Sequence, residues 1–109
     1  MADGFKDREK GFESKWAHDE ELRFKVMARR NKLLGQWAAA EMGLTGAESE
    51  AYARSVIQAD FQEAGDNDVL RKVKGDFDRE AVTHSTAAIR ARMEELLAIA
   101  AGQVVGEVK

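Results

Sequence analysis

Ala28-Arg29-Arg30-Asn31-Lys32-Leu33-Leu34-Gly35-Gln36-Trp37-Ala38 is the stretch on which the fold turns. Read outward from it, helical spacing runs from Asp19 to Met42. Phe24, Met27, Ala28, Asn31, Leu34, Gly35, Ala38 and Met42 share one face, while Leu22, Val26, Leu33 and Trp37 share another on the far side. A helix that is apolar on two sides needs neighbours on both, so this one is predicted to be central. Gly35 is expected where a second backbone approaches closely. Gly43 followed by Leu44 predicts a left-handed C-terminal cap with its apolar follower.

Downstream, Thr45-Gly46-Ala47-Glu48 has the spacing of a capping box and predicts the start of a second helix with Tyr52, Val56, Ile57 and Ala59 inward. Gly65 is expected to end it, and Asp66, Asn67 and Asp68 offer three N-caps for the next segment. A short third helix near 67–79 should bury Leu70, Val73 and Phe77. After a polar break at 83–86, Ile89, Met93, Leu96, Leu97, Ala100 and Val104 recur within an arc of roughly 100°, which predicts a fourth amphipathic helix. Gly102 and Gly106 predict fraying at its end. The expected fold is therefore all-α, a four-helix bundle-like domain over residues 20–109, preceded by a disordered or frayed N-terminal tail over residues 1–19. No sheet is expected: the chain has no Pro and is rich in good helix formers.

Composition narrows the function classes. The 109 residues are 44% hydrophobic and 34% charged, ordinary for one soluble domain. A net charge of -3 argues against nucleic acid, whose phosphates require a clustered basic surface. With no Cys there is neither a disulfide framework nor thiolate chemistry, and no apolar run is long enough to span a membrane. The protein is expected to be cytoplasmic, without membrane insertion and monomeric when free.

Candidate chemistry is sparse, and no catalytic residue is assigned. His18 and His84 sit in polar sequence surroundings without ligand spacing, so no metal site and no cofactor are expected. Asp66-Asn67-Asp68 lacks the alternating ligands and terminal Glu of a calcium loop and reads better as capping residues. Arg29, Arg30 and Lys32 form the one dense basic cluster. It is read first as a solvated face or a set of ion pairs, and alternatively as an anion site for ATP or ADP. Asp60 falls between Val56 and Ile57 on the inward side of its helix and is expected to pair with Arg29, Arg30 or Asn31, or to cap a neighbouring helix.

The first twenty residues are the remaining candidate for function. They carry six acids and four bases, and on a helix Phe5, Phe12 and Trp16 would fall within a stripe about 40° wide, too narrow for a core but suited to a groove on another molecule. Ordering such a segment costs on the order of 20–40 kcal/mol of backbone entropy. Three aromatics return about 2–3 kcal/mol each. Structure is therefore expected only within a concave site on a partner.

Phe5, Arg8-Glu9, Glu13, Lys15-Trp16-Ala17, Asp19, Phe24-Lys25 and the whole 28–38 block resemble the ζ subunit family of alphaproteobacterial F-type ATP synthases, the ATPase inhibitor family. Tyr52-Ala53, Val56-Ile57, Ala59-Asp60-Phe61, Glu63, Gly65-Asp66, Asp68-Val69, Ile89-Arg90, Met93 and Glu95-Leu96 extend the resemblance over nearly the entire chain. It implies a non-enzymatic regulator that inhibits ATP hydrolysis, located at the cytoplasmic side of the inner membrane through the synthase. It further implies that the N-terminal segment enters as a helix between α and β subunits, facing the γ shaft. Phe5, Arg8, Glu9, Glu13, Lys15, Trp16 and Asp19 match that segment, and Phe12 joins them from the aromatic stripe. The alternative is a nucleotide-binding helical module, or a synthase-associated adaptor with weak or no inhibition.

Overall fold

The computed structural model describes residues 19–62 and 66–108. Four helices make up the described chain: α1 (Glu20–Glu41), α2 (Gly46–Gln62), α3 (Asp66–Arg79) and α4 (Thr86–Val108). No strand occurs among the described residues. The expectations for residues 1–18 and for Gly65 lie outside them.

The helices form a ring in which α1 packs against α2 and α4, and α3 closes the opposite side by packing against the same two. Adjacent helices are antiparallel. Along α1, Asn31 meets Asp60 of α2, while Arg29 and Trp37 meet Glu107 and Arg92 of α4, and Glu41 meets His84 just ahead of α4, in reversed order.

The two faces read from the sequence of α1 feed two cores. Leu34 and Ala38 join Val56, Val69, Leu70, Val73, Phe77, Ile89 and Met93 in the main core. Val26, supported by Leu22 and Leu33, packs with Ala100, Ala101 and Val104 of α4. Trp37 packs on the main core instead, its ring edge-on to Phe77 at 5.5 Å. Phe24, expected inward, is 53% exposed.

At Gly35 the backbones of α1 and α2 come close together: a Cβ there would lie 2.5 Å from the Ala53 Cα. The end of α1 is closed as predicted. Gly43 adopts φ +77°, its N–H donates to Ala40 O at 3.1 Å, and the Leu44 N–H donates to Ala39 O at 2.8 Å. The same device ends α3 with a less suitable residue. Ala81 takes φ 57° while the Val82 N–H donates to Phe77 O at 2.8 Å.

Three local expectations are corrected. The capping-box hydrogen bonds at Thr45 and Glu48 do not form among the described residues, because Gly46 at φ +56° breaks the helical geometry they need. Asp66, Asn67 and Asp68 do not cap α3; they accept from Arg30, Arg90 and Arg71 respectively. The end of α4 does not fray at Gly102 or Gly106, since the helix runs to Val108 and Arg29 of α1 grips Gln103 and Glu107. Ser85 does cap α4, its Oγ accepting from the Ala88 N–H at 3.0 Å.

Candidate functional site

The entry to the bundle is set by one carboxylate. Asp19 has extended backbone, and its Oδ1 accepts from the Leu22 N–H at 3.1 Å, capping α1. Glu20 and Glu21 follow in the first turn, where negative charge complements the helix dipole. Of the residues assigned to the N-terminal segment, Asp19 alone falls among the described ones, and its side chain is committed to this cap. Phe5, Arg8, Glu9, Phe12, Glu13, Lys15 and Trp16 lie outside them.

The basic cluster of α1 is divided by the helix itself. Consecutive residues point about 100° apart, so Arg29 and Arg30 face different neighbours. The Arg29 guanidinium binds both Glu107 oxygens, at 2.8 and 2.9 Å, and Gln103 Oε1 at 2.9 Å, tying α1 to the end of α4. Arg30 is 1% exposed. Its Nε donates to Asn31 Oδ1 at 2.8 Å and its Nη2 to Asp66 Oδ1 at 3.0 Å. Asn31 in turn donates to Asp60 Oδ2 at 2.8 Å, which is one of the pairings expected for Asp60. This chain of donors and acceptors joins α1 to both α2 and α3, and its charge is matched by carboxylates rather than left for a ligand. Lys32 remains exposed.

Arg29 and Lys32 reappear on the wall of a surface groove of about 630 Å³, together with Phe24, Lys25, Ala28, Ile57, Val104 and Glu107. Three cations thus stand around an apolar floor, with one carboxylate already bound to Arg29. Arg30 takes no part in it.

Two polar centres escaped the sequence reading. Asp76, buried on α3, accepts from the Tyr52 hydroxyl at 2.7 Å and from Lys72 Nζ at 3.0 Å, and Arg79 pairs with its other oxygen. Burial pushes the Tyr52 hydroxyl up to about 12, against a smaller opposing effect of the Arg79 charge. Burial, followed by the same guanidinium, holds the Lys72 ammonium below its usual range. An acid at the apolar positions of an amphipathic helix, with cations at i−4 and i+3, was the signal available for Asp76.

His84 is the second centre. It does not sit in polar surroundings: its ring lies 5.2 Å from Trp37 and 5.3 Å from Phe77, while Nε2 meets Glu41 Oε1 at 3.0 Å. The described residues hold no group of three or more His, Cys, Asp or Glu able to bind a metal ion, and no helix long and apolar enough to cross a membrane.

Comparison with known proteins joins these features to a family. A protein structure determined in solution by NMR is similar to this chain at 48% identity with a TM-score of 0.70, covering 79% of this chain and 98% of the other. No curated protein matches. The family model for ATPase inhibitor subunit zeta matches residues 1–103, which takes in the segment before the bundle as well as nearly all of the four helices. The chain therefore belongs to the ATPase inhibitor subunit zeta family, regulatory proteins that act as inhibitors of the ATP synthase.

Proposed function

We propose that this protein stops ATP hydrolysis by the F-type ATP synthase through residues 1–19, which insert as a helix at the interface of an α and a β subunit and reach toward γ. The observation that carries this reading is the reach of the family match, which begins at residue 1, ahead of a bundle whose first helix is capped at Asp19. Phe5, Phe12 and Trp16 supply the apolar stripe of the inserted helix, and Arg8, Glu9, Glu13 and Lys15 supply charged contacts along its flanks. The four helices serve as the body that anchors and delivers it. Inhibition is steric: a helix wedged between subunits holds one catalytic site closed, so the rotor cannot advance in the hydrolytic direction without expelling it. The protein works at the cytoplasmic face of the membrane, as a monomer until it binds.

The absence of Cys makes this testable with a single introduced thiol. Phe12→Cys carrying a thiol-linked benzophenone should cross-link to α and β when irradiated with the inhibited synthase. Cross-links confined to peripheral subunits would contradict insertion.

The groove beside Lys25, Arg29 and Lys32 favours a second reading, in which the body binds ATP or ADP, the base on the Phe24 and Ile57 side and the phosphates on the cations. Titration with ADP followed by NMR should then shift the amides of residues 24–32 at sub-millimolar concentration. No shift at millimolar nucleotide removes that reading.

A further inference from the structure

Glu107 stands on the wall of the groove whose other charged members are Lys25, Arg29 and Lys32. Among the described residues lining it, the one carboxylate therefore comes from the last turn of α4. Its two oxygens lie 2.8 and 2.9 Å from Arg29 Nη2, and Gln103, one turn earlier, accepts from Arg29 Nη1 at 2.9 Å. Both terminal nitrogens of the guanidinium are thus turned toward α4. A guanidinium that receives a carboxylate in this way receives a phosphate with the same fork of donors. Glu107 accordingly occupies the place an incoming anion would take.

The other two cations are more readily available. Lys32 is exposed and makes no hydrogen bond or ion pair with any described residue. Lys25 has an exposed pair with Glu21 at 3.3 Å, a contact that water and salt screen. The Arg29 side chain is 26% exposed against 51% for Lys25, so an anion gains most by reaching Arg29.

Releasing Glu107 asks little of the fold. Its own side chain is 58% exposed, and it lies one residue before the end of α4. Gly102 and Gly106, poor helix formers, immediately precede Gln103 and Glu107, and nothing lies within 4 Å of where a Cβ of either would be. The last carbonyls of a helix have no partner within it, so opening the final turn gives up few hydrogen bonds. Ala100, Ala101 and Val104 stay in their core, which keeps the rest of α4 in place.

We infer that Glu107 is a built-in latch on the groove: it holds Arg29 while the groove is empty, and a nucleotide phosphate binds by displacing it and releasing the last turn of α4. The latch presupposes the nucleotide reading of the groove and adds its regulation. By reciprocity, any partner surface that holds the end of α4 in its helical form lowers the affinity of the groove for nucleotide.

The test titrates the full chain, Glu107→Gln and Glu21→Gln with ADP under NMR, with amides 24–32 reporting the groove and amides 103–108 the end of α4. Glu107→Gln removes the charge that holds Arg29. Glu21→Gln removes an equal charge from the partner of Lys25 and controls for bulk electrostatics. Glu107→Gln should bind ADP about fivefold or more tightly than the unaltered chain, and Glu21→Gln less than about twofold more tightly. In the unaltered chain, saturating ADP should speed amide hydrogen exchange at 106–108 but not at 93–101. Far-UV circular dichroism verifies that both variants keep their helices. Equal affinity of Glu107→Gln and the unaltered chain, or an equal gain from both substitutions, overturns the latch and leaves the nucleotide reading standing. Binding by Glu107→Gln alone supports the latch, as a site that Glu107 keeps closed, while the unaltered chain loses the nucleotide reading. Binding by none of the three at millimolar ADP removes both.

Discussion

Ala81 and Gly102 would each be better served by the other's residue. Ala81 stands at φ 57° after α3, a conformation that costs an L-residue about 1–2 kcal/mol and glycine almost nothing. Ala81→Gly is therefore expected to raise the free energy of unfolding by about 1 kcal/mol in urea denaturation. Gly102 lies inside α4 with nothing within 4 Å of where a Cβ would be, so Gly102→Ala should also stabilise, by about 0.5–1 kcal/mol. Gly35 is the opposite case, since a Cβ 2.5 Å from the Ala53 Cα forces the helices apart, and Gly35→Ala should cost about 1–3 kcal/mol. Tyr52 gives a separate test at high pH. Its hydroxyl is raised in the folded state to about 12 from 10.0, so its contribution to stability is complete below pH 10 and is lost as the pH rises through 12. It is the one Tyr in the chain, so tyrosinate absorbance reports it alone and should show a midpoint near 12 in the folded protein. A midpoint near 10 in protein that is still helical would mean that the hydroxyl is not buried.

At the scale of the elements, the apolar periodicity of α1 and α4 is enough to place both helices and to give α1 neighbours on two sides, although it forms one side of a ring rather than a centre. Hydrophobic spacing reports which side of a helix is dry, and here both sides of α1 are. The polar seams were much less legible. Sequence spacing suggested a partner for Asp60 and found Asn31 among the possibilities, but it treated Asp66, Asn67 and Asp68 as caps when each receives an arginine. Capping and ion pairing draw on the same residue types, and only the positions of Arg30, Arg90 and Arg71 decide between them. Arg30 was read with its exposed neighbours because charge clusters usually face water; its burial follows from a turn of helix that points it at α3. Replacing it should therefore act on the fold rather than on a ligand. Arg30→Met removes donors from Asn31 and Asp66 and is expected to cost about 2–4 kcal/mol, at the lower end if water reaches the half-exposed Asp66. A change under about 0.5 kcal/mol in urea would mean that the network holds nothing together.

At the scale of the whole molecule, the described bundle is built from residues that begin at the Asp19 cap, and the family match begins eighteen residues earlier. Charge density and apolar spacing change together near that point, which is the ground on which a separate segment ahead of the bundle is proposed. What the segment contacts could not be read from the chain itself, since the complementary surface belongs to another protein. Phe5→Ala and Trp16→Ala are expected to weaken inhibition at least tenfold each, consistent with about 2 kcal/mol per aromatic buried on the partner, with little change in the melting of the bundle. The most direct measurement is ATP hydrolysis by an alphaproteobacterial F-type synthase in the presence of the full chain or of residues 19–109, a truncation that keeps the Asp19 cap and hence α1. The account predicts that the full chain inhibits and that residues 19–109 fold, melt within a few degrees of the full chain and do not inhibit. Equal inhibition by both would place the inhibitory surface on the four helices and contradict it.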